Sequence, residues 1–224
     1  MMHQRKSKRI ILLIFLLILV GSINNLKLNA LKISGVESVK ISGLNSIENQ
    51  IISDKINNLN LENIFFLNRI EISKILNSNS LIESYKVFKN YPSSLNIQIE
   101  KTKFLAKINK DSKIYLIGSN GKLSNIHYST QKFPYIFGNP EIKKFLDFKK
   151  IIDQSLIDYS KIENLYFFQS NRWDLKLKNN ILIKLPEGST EYILNDISKF
   201  LNESNFKNLK IIDARIKNQI IINE

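Results

Sequence analysis

The first twenty residues constrain the topology of this chain more than any other segment. A basic cluster formed by Arg5, Lys6, Lys8 and Arg9 runs directly into an uninterrupted apolar block from Ile10 to Val20. Positive charge ahead of an apolar segment keeps the N-terminus on the cytoplasmic side of a membrane. We therefore expect the remainder of the chain to be carried across the membrane and to work outside the cytoplasm.

The apolar block is compatible with an uncleaved anchor and with a cleaved signal. A helix needs about 20 apolar residues to span the hydrocarbon core, whereas a secretory signal has an apolar region of about 7–15. No good small-residue cleavage site follows the block, which favours an anchor. We expect a cytoplasmic tail of residues 1–9 and a transmembrane anchor over residues 10–26. The apolar residues expected to lie in the membrane within this anchor include Ile10, Leu13, Phe15, Leu17 and Val20.

The composition removes several classes of function. The chain has 224 residues and no cysteine, which excludes cysteine-ligated metal sites and thiol chemistry. Its formal net charge is +13, but the lysines after the apolar block are dispersed along the sequence and interleaved with acidic residues. Nucleic-acid binding depends on basic residues clustered on one face. We therefore expect no nucleic-acid partner.

The first folded segment, residues 33–103, has the pattern of a small α+β domain. Each of its two helix starts has an Asn followed three positions later by Glu, which is typical of a first helical turn. The predicted elements are a strand at residues 36–41, helices that start at Asn45 and Asn68, and strands at residues 82–89 and 95–99. The apolar residues expected on the inner face of the first helix are Ile47, Ile51, Ile52, Ile56 and Leu59.

The second segment, residues 104–224, predicts a mostly antiparallel, meandering sheet with two helices against it. Asn120-Gly121 between apolar runs is a strong hairpin signal, and Asn139-Pro140 predicts a helix start. The other predicted elements are strands at 162–168, 173–177 and 181–185, a helix at 189–201, and closing strands at 210–215 and 216–222. Alternation places Trp173 in the core with Asp174 facing outward, and the further aromatic residues expected in the core are Tyr166, Phe167 and Phe168.

No pattern of residues indicates catalysis or a metal site. The only histidines are His3, ahead of the apolar block, and His127, which we expect at the surface, and the chain has no G-x-S-x-G motif. The acidic residues are dispersed rather than clustered as metal ligands. Asp213 and Arg215 lie two apart on a predicted strand and share a face, so they are expected to form a structural ion pair or a strand-end contact rather than a catalytic pair. We expect a non-enzymatic protein with no cofactor and no metal.

Short motifs follow one another in a fixed order along both segments. Those in the first segment are Val39-Lys40-Ile41-Ser42-Gly43, Val87-Phe88-Lys89-Asn90-Tyr91-Pro92-Ser93-Ser94-Leu95, and Glu100 with Ala106. Those in the second are Leu116-Ile117, Phe133-Pro134, Arg172-Trp173-Asp174-Leu175, Ile183-Lys184-Leu185-Pro186 and Asp213-Ala214-Arg215. Together with the anchor they resemble the FtsQ/DivIB family of bacterial cell-division proteins. The chain departs from that pattern at Gly118, Lys103 and Lys89, where the family has Asp, Pro and Arg.

This resemblance implies an architecture and a location. The fold class is α+β, with an N-terminal transmembrane helix, a POTRA-like βααββ domain over residues 33–103 and an FtsQ-type β domain over residues 104–224. The β domain is mostly antiparallel and has flanking helices. The implied location is the inner membrane at the division septum, in a single-pass topology with the N-terminus cytoplasmic and the C-terminus periplasmic.

The resemblance also implies a function and its partners. FtsQ-like proteins are non-enzymatic scaffolds of the division machinery, the divisome. They recruit FtsB-like and FtsL-like bitopic proteins, and they contact other divisome proteins through the POTRA-like domain, while the anchor contacts the lipid bilayer. One alternative function is that of a POTRA-containing component of envelope transport or secretion. An anchored hydrolase is a third, and it lacks a catalytic set.

The implied partner site is the last strand, which in the family pairs with a strand of FtsB. An edge strand offers unpaired backbone N–H and C=O groups to an added strand. Four of the residues from Ile216 to Ile222 are isoleucine, and we expect no covering element over this strand. The residues expected to form this edge are Arg215, Ile216, Lys217, Asn218, Gln219, Ile220, Ile221 and Ile222. Arg172 is expected as a further partner contact.

Overall fold

The computed structural model describes residues 3–23, 35–59, 61, 64–65, 67–125, 127, 129, 131–203, 209–216 and 219–223. Two units can be distinguished, the first formed by Met1–Ile75 and Lys86–Gln98 and the second by Leu76–Tyr85 and Ile99–Glu224. The second unit therefore takes in a short stretch that the sequence pattern assigns to the first segment.

The N-terminal helix α1 spans His3–Ile23. Arg5, Lys6, Lys8 and Arg9 fall at its start, and the apolar residues from Ile10 to Val20 are exposed along it. Leu, Ile and Phe without Gly or Pro sustain this helix up to Gly21. Over the described residues, no helix combines the length and the apolar content that a bilayer crossing requires.

The first unit has the predicted order of strand, helix, helix, strand, strand. Its elements, three of which continue into the second unit, are β1 (Ser38–Ser42), α2 (Ser46–Asn57), α3 (Arg69–Ser78), β2 (Ile82–Asn90) and β3 (Ser94–Lys101). The strands form a sheet in the order β1-β3-β2, with β1 parallel to β3. The side chain of Asn45 caps α2 as predicted, because its Oδ1 accepts a hydrogen bond from the backbone N–H of Glu48 at 2.8 Å.

The inner face of α2 is narrower than the sequence pattern predicts. Ile52 and Ile56 are buried, but Ile47 and Ile51 are 71% and 50% exposed. A helix turns by about 100° per residue, so Ile51 points well away from Ile52 and Ile47 points still further. The prediction that all these isoleucines face the core is therefore wrong for Ile47 and Ile51.

The second unit is built on a nine-stranded mixed sheet. Its strands are β4 (Phe104–Lys110), β5 (Lys113–Gly118), β6 (Leu123–Asn125), β7 (Tyr135–Phe137), β8 (Ile162–Phe167), β9 (Trp173–Leu177), β10 (Leu182–Lys184), β11 (Ile211–Asp213) and β12 (Ile221–Asn223). The order across the sheet is β12-β11-β10-β9-β8-β7-β4-β5-β6. Five neighbouring pairs are antiparallel and three are parallel.

Two of the parallel pairs arise from helical crossovers that the predicted meander does not contain. Helix α4 (Ile142–Gln154) connects β7 to its parallel neighbour β8. Helix α5 (Glu191–Glu203) connects β10 to its parallel neighbour β11. Parallel neighbours need a crossover, and a helix usually supplies it. β7, β10 and β11 have only three residues each, too few to show a clear alternation in the sequence.

Helix α4 starts later than the Asn139-Pro140 signal predicts. Its first residue is Ile142, and Glu141 occupies the N-cap position without a capping hydrogen bond from its side chain. At Gly138 the chain passes so close to β8 that an added Cβ would lie 2.4 Å from the carbonyl oxygen of Phe167. The chain is held against β8 at this point, and the helix begins only beyond it.

The core of the second unit lies between one face of the sheet and the helices α4 and α5. Trp173 is 6% exposed, as predicted, and its ring stacks on Phe148 of α4 at a centroid distance of 4.9 Å. Other buried members of this core are Phe145, Ile152, Leu165, Leu175, Ile183, Leu194, Ile197 and Ile212. Leu175, Ile183 and Ile212 are register partners in turn, so this face points toward the helices across three strands.

Candidate functional site

Strand β12 lies at one end of the nine-stranded sheet. It pairs with β11, and no described strand lies on its other side. Ile222 stands opposite buried Ile212 and is half-buried, whereas Ile221 stands opposite Asp213 and is 49% exposed. The strand thus directs one side chain to the core face and leaves its other backbone edge without a strand neighbour in the described chain.

The strand at this edge is shorter than the predicted Arg215–Ile222. β11 and β12 are antiparallel, so the chain must reverse between them, and the backbone N–H of Gln219 donates to the carbonyl oxygen of Ile216 at 3.2 Å within this reversal. Arg215, Ile216, Gln219 and Ile220 are exposed and lie outside the strands, while Ile221 and Ile222 belong to β12. Lys217 and Asn218 lie outside the described residues.

A row of side chains crosses five strands on the face opposite the core. The register aligns Tyr166 of β8, Asp174 of β9, Lys184 of β10, Asp213 of β11 and Ile221 of β12. Register partners on neighbouring strands point to the same face of a sheet. The row therefore leads without interruption from the centre of the sheet to the edge strand.

This row borders a groove of about 580 Å³ on the open face of the sheet. Among the described residues that line it, the basic ones are Arg172, Lys176, Lys184, Lys210 and Arg215, and the acidic one is Asp174. The remaining lining residues are Tyr166, Phe168, Asn180, Leu182 and Ile211. An excess of positive charge in a concave surface raises the local concentration of anionic groups. The groove is suited to side chains that carry carboxylates.

Arg215 is held by Asp213, as the two-residue spacing predicts. Its Nε lies 2.8 Å from Oδ1 and 3.0 Å from Oδ2 of Asp213, and its Nη2 also contacts Oδ2. This hydrogen bond lowers the pKa of Asp213, and the pairing raises the pKa of Arg215. Arg215 lies just past the end of β11 rather than on it. The pair fixes the direction of a guanidinium at the rim of the groove.

Asp174 is buried, although the alternation of β9 predicts an exposed side chain. Its residue exposure is 4%, and its Oδ1 lies 3.3 Å from Nε of Arg172 and 3.4 Å from the backbone nitrogen of Leu185, which donates to it. Burial raises the pKa of this carboxyl group, while the charges of Arg172 and Arg215 act in the opposite direction. The prediction of an exposed Asp174 is wrong because neighbouring side chains, among them Arg172, cover its carboxylate at the base of the groove.

The prediction of a core position is wrong for Tyr166, which is half-buried on the face opposite the core, and for Phe168. Phe168 is 38% exposed and follows the end of β8, and the guanidinium carbon of Arg172 lies 4.1 Å from its ring centroid. A guanidinium over an aromatic face is attracted by the ring quadrupole. Phe168 therefore serves as a support for Arg172 rather than as part of the core.

The structure brings together two of the basic residues that the motifs singled out and adds others. Arg172 and Arg215 line the same groove, together with Lys184 and Lys210, which the sequence analysis did not name as partner contacts. Of these four residues only Lys184 lies on a strand, where alternation gives its outward direction, and the proximity of all four depends on the register between strands. His127 is exposed, as expected. In the described parts of the chain, no group of three His, Asp or Glu residues could hold a metal ion.

Two family models match the chain. The model of the FtsQ-type POTRA domain matches residues 34–101, and the model of the C-terminal domain of cell division protein FtsQ/DivIB matches residues 106–215. A cell division protein FtsQ of Rickettsia bellii is 28% identical over 198 residues, which are 84% of this chain and 71% of that protein. A cell division protein DivIB of Clostridium botulinum is 31% identical over 125 residues, which are 54% of this chain and 46% of that protein.

Several solved structures are also similar to this chain. One of them is the major extracytoplasmic domain of DivIB from Geobacillus stearothermophilus, with a TM-score of 0.31 and 9% identity over 46% of this chain and 88% of that chain. A likeness of this size has no weight for the fold. The match of the C-terminal family model ends at residue 215, so β12 lies beyond it.

Proposed function

This chain belongs to the FtsQ/DivIB family of cell-division proteins, and from that membership we propose that it recruits partner proteins to the division septum. The family is one of non-enzymatic cell-division scaffolds. The family match favours this function over a role in envelope transport or secretion. In the proposed role the chain supplies a fixed surface on which other division proteins assemble, and it performs no chemistry.

The proposed setting is the inner membrane. α1 carries a basic start followed by exposed apolar residues from Ile10 to Val20, an arrangement that supports anchoring with the N-terminus in the cytoplasm. In this proposal residues 10–26 form the anchor, and the domains over residues 33–103 and 104–224 are periplasmic. The POTRA-like domain contacts other divisome proteins.

The single observation that carries the partner site is the position of β12 at the end of the sheet order. A partner strand that pairs with the free edge of β12 extends the sheet and satisfies backbone N–H and C=O groups that otherwise face water. The proposed partners are the FtsB-like protein, which supplies the strand, and the FtsL-like protein bound to it. Exposed Ile221 gives the added strand an apolar neighbour.

The groove beside this edge supports the same proposal through charge. Of the lining residues that the structure describes, five are basic and one is acidic, so acidic side chains near the added strand are attracted to the groove. Arg172 and Arg215 are the proposed partner contacts within the groove, because both guanidinium groups are already held in place by neighbours. A guanidinium with a fixed orientation loses less entropy on binding a carboxylate.

The test is binding of the full chain, in nanodiscs, to the periplasmic segment of the FtsB-like protein of the same organism. The segment is offered alone and together with its FtsL-like partner. We expect binding by the intact chain and loss of binding by a chain that ends at Asp213. Because that truncation also removes a strand, a second variant, Ile221→Asp, places a charge on the exposed side of β12 without shortening it.

The matched control is Ile114→Asp on β5, because Ile114 is 43% exposed against 49% for Ile221 and belongs to the same unit. We expect Ile114→Asp to bind as the intact chain does. Equal loss in both variants, or undiminished binding by a folded Ile221→Asp chain, would contradict strand addition at β12. Failure of the intact chain to bind either form of the partner would contradict the recruitment function at this site.

A further inference from the structure

We propose that Asp174 is a positioning residue of the partner site, whose buried carboxylate holds the guanidinium of Arg172 in the groove beside β12. This inference rests on the proposed function, since it assigns Arg172 the task of receiving a carboxylate of the partner. Asp174 itself does not contact the partner. It acts through Arg172.

The first step is the place of Asp174 in the row of side chains. Its register partners are Tyr166 on one side and Lys184 on the other, and Lys184 is in turn the partner of Asp213. Asp174 is thus the innermost acid of a row that leads to the edge strand. With a side-chain exposure of 5%, it lies beneath the groove surface and is not itself available to a macromolecular ligand.

The second step is how Arg172 is held. Its guanidinium lies over the ring of Phe168 at 4.1 Å, and its Nε lies 3.3 Å from Oδ1 of Asp174. Nε is buried and makes no hydrogen bond to the described residues, so its link to Asp174 is an attraction of charges rather than a hydrogen bond. An amide in place of the carboxylate would keep the shape but lose this attraction. The terminal nitrogens of a guanidinium carry four further N–H donors that can bind a ligand.

The third step is the cost of this arrangement. Burial is the largest influence on the carboxyl group of Asp174 and raises its pKa. The ionised carboxylate is therefore less favourable in the folded chain than it would be in water. Buried ion pairs can often be replaced by neutral groups at little or no loss of stability. A buried charge that does not stabilise the fold is expected where it serves a binding site.

The variant Asp174→Asn separates positioning from folding. The side-chain oxygen of Asn can still accept from the backbone N–H of Leu185, whereas the charge that holds Arg172 is gone. Asp111→Asn is the matched control, because it removes one negative charge from the same unit at an exposed turn where φ is 51°, a conformation that Asn adopts readily.

Two measurements are made on the full chain in nanodiscs. The first is the side-chain ¹⁵N signal of Arg172 Nε–H, assigned with an Arg172→Gln variant. We expect slow hydrogen exchange in the intact chain and in Asp111→Asn, and exchange at least about tenfold faster in Asp174→Asn, because a freed guanidinium samples solvent. An unchanged Arg172 signal in a folded Asp174→Asn chain would overturn the proposal whether or not any partner binds.

The second measurement is affinity for the FtsB-like periplasmic segment. We expect Asp174→Asn and Arg172→Gln each to bind about tenfold more weakly, and the double variant to bind no more weakly than Arg172→Gln alone. Thermal stability of Asp174→Asn should equal or exceed that of the intact chain. Additive losses, or a loss of affinity that follows a loss of stability, would overturn positioning. If the intact chain does not bind the segment but the Arg172 signal changes as expected, the assignment of the partner is wrong. The positioning of Arg172 by Asp174 is then still supported.

Discussion

The Nε atom of Arg172 lies 3.3 Å from Oδ1 of Asp174, whose side chain is 5% exposed while that of Arg172 is 23% exposed. The two members of this ion pair are therefore unequally buried. Loss of the arginine leaves a carboxylate enclosed without its main counter-charge, whereas loss of the carboxylate leaves a guanidinium that retains access to water and to the ring of Phe168. Removal of Arg172 is therefore expected to cost more folding stability than removal of the Asp174 charge.

We accordingly expect Arg172→Ala to destabilise the chain by about 1–3 kcal/mol, the cost of an unsatisfied buried polar group. Asp174→Asn should leave the free energy of unfolding unchanged or raise it by less than about 1 kcal/mol. Denaturant unfolding of the full chain measures both. Equal destabilisation by the two variants would show that the pair contributes as a symmetric bond and would contradict this asymmetry.

The two acids in the row predict opposite dependences of stability on pH. The pKa of Asp174 is raised by burial, so the folded chain binds this proton more readily than the unfolded chain. Its contribution to stability is full below the ordinary Asp value of 3.8 and is lost as the pH rises through the raised pKa. The pKa of Asp213 is lowered by Arg215, so its contribution is full above 3.8 and is lost as the pH falls through the lowered pKa.

The measurement is the difference in unfolding free energy between the intact chain and each Asn variant, from neutral pH to below 3.8. Relative to Asp174→Asn, the intact chain should gain stability as the pH falls. Relative to Asp213→Asn, the intact chain should lose stability as the pH falls below the ordinary Asp value of 3.8. Parallel curves for the two variants would contradict the assigned directions.

Trp173 is the only tryptophan of the chain, and its 6% exposure makes it a natural probe of the second unit. It stacks on Phe148 and contacts Phe167 at a centroid distance of 4.8 Å. We expect Trp173→Ala to cost about 3–5 kcal/mol, as for other large-to-small core changes. Tyr192→Ala, at a position that is 72% exposed, should stay within about 0.5 kcal/mol of the intact chain.

Fluorescence provides the measurement in the Tyr192→Ala variant and in the intact chain, where emission should shift to longer wavelength on unfolding. Circular dichroism replaces it for Trp173→Ala. A small effect of Trp173→Ala would contradict its assignment to the core between the sheet and α4.

Gly118 is a position at which a side chain has no room. An added Cβ would lie 2.7 Å from both Asn120 Oδ1 and Thr102 Oγ1. Asn120 cannot easily withdraw, because its Nδ2 donates to the carbonyl oxygens of Ser80 and Ile82 at 3.0 and 2.9 Å. We expect Gly118→Ala to destabilise the second unit by about 1–3 kcal/mol through overpacking.

The control for this prediction is Gly188→Ala. Gly188 has a φ of +67° but nothing within 4 Å of an added Cβ, so its substitution incurs only the cost of the left-handed conformation, about 1–2 kcal/mol. Thermal unfolding of the Asn120→Ala, Gly118→Ala double variant separates the causes. If Asn120→Ala does not reduce the cost of Gly118→Ala, the contact with Asn120 is not its source.

Features with a local signal could be predicted from the sequence. The cap formed by Asn45 is set by residues three positions apart, and the turn at Asn120-Gly121 is set by the positive φ of Gly121, +74°. The burial of Asp174 has no local signal, because alternation gives only the side of the strand to which it points. Whether that side is open or enclosed depends on residues from other strands, such as Leu185 and Arg172.

In the candidate site, too, some features have a local sequence signal and others depend on distant residues. Arg172 and Arg215 stand in recognisable motifs, but Lys184 becomes part of their groove only through the register that places it between Asp174 and Asp213. The helical crossover from β10 to β11, on which this register depends, joins two strands of three residues each, whose sequences carry little periodicity. Non-local pairing therefore determines the site, although its individual residues are visible in the sequence.

The charge of the groove predicts a dependence of partner binding on salt. Its five basic residues and one acid attract an acidic partner over roughly a Debye length, about 10 Å at 0.1 M salt. We expect the association rate to fall as salt rises and the dissociation rate to change little, since electrostatic steering acts mainly on encounter. Replacing Lys184 and Lys210 by Gln should lower the association rate at low salt and flatten its salt dependence.

The matched control replaces Lys143 and Lys150 of α4 by Gln, which removes the same charge from exposed positions that do not line the groove. Stopped-flow mixing of the full chain with the FtsB-like segment at a series of salt concentrations measures both pairs. If the two double variants lose association rate equally, the effect belongs to the net charge of +13 and not to the groove. A larger loss for Lys184 and Lys210 would place the encounter at the open face beside β12.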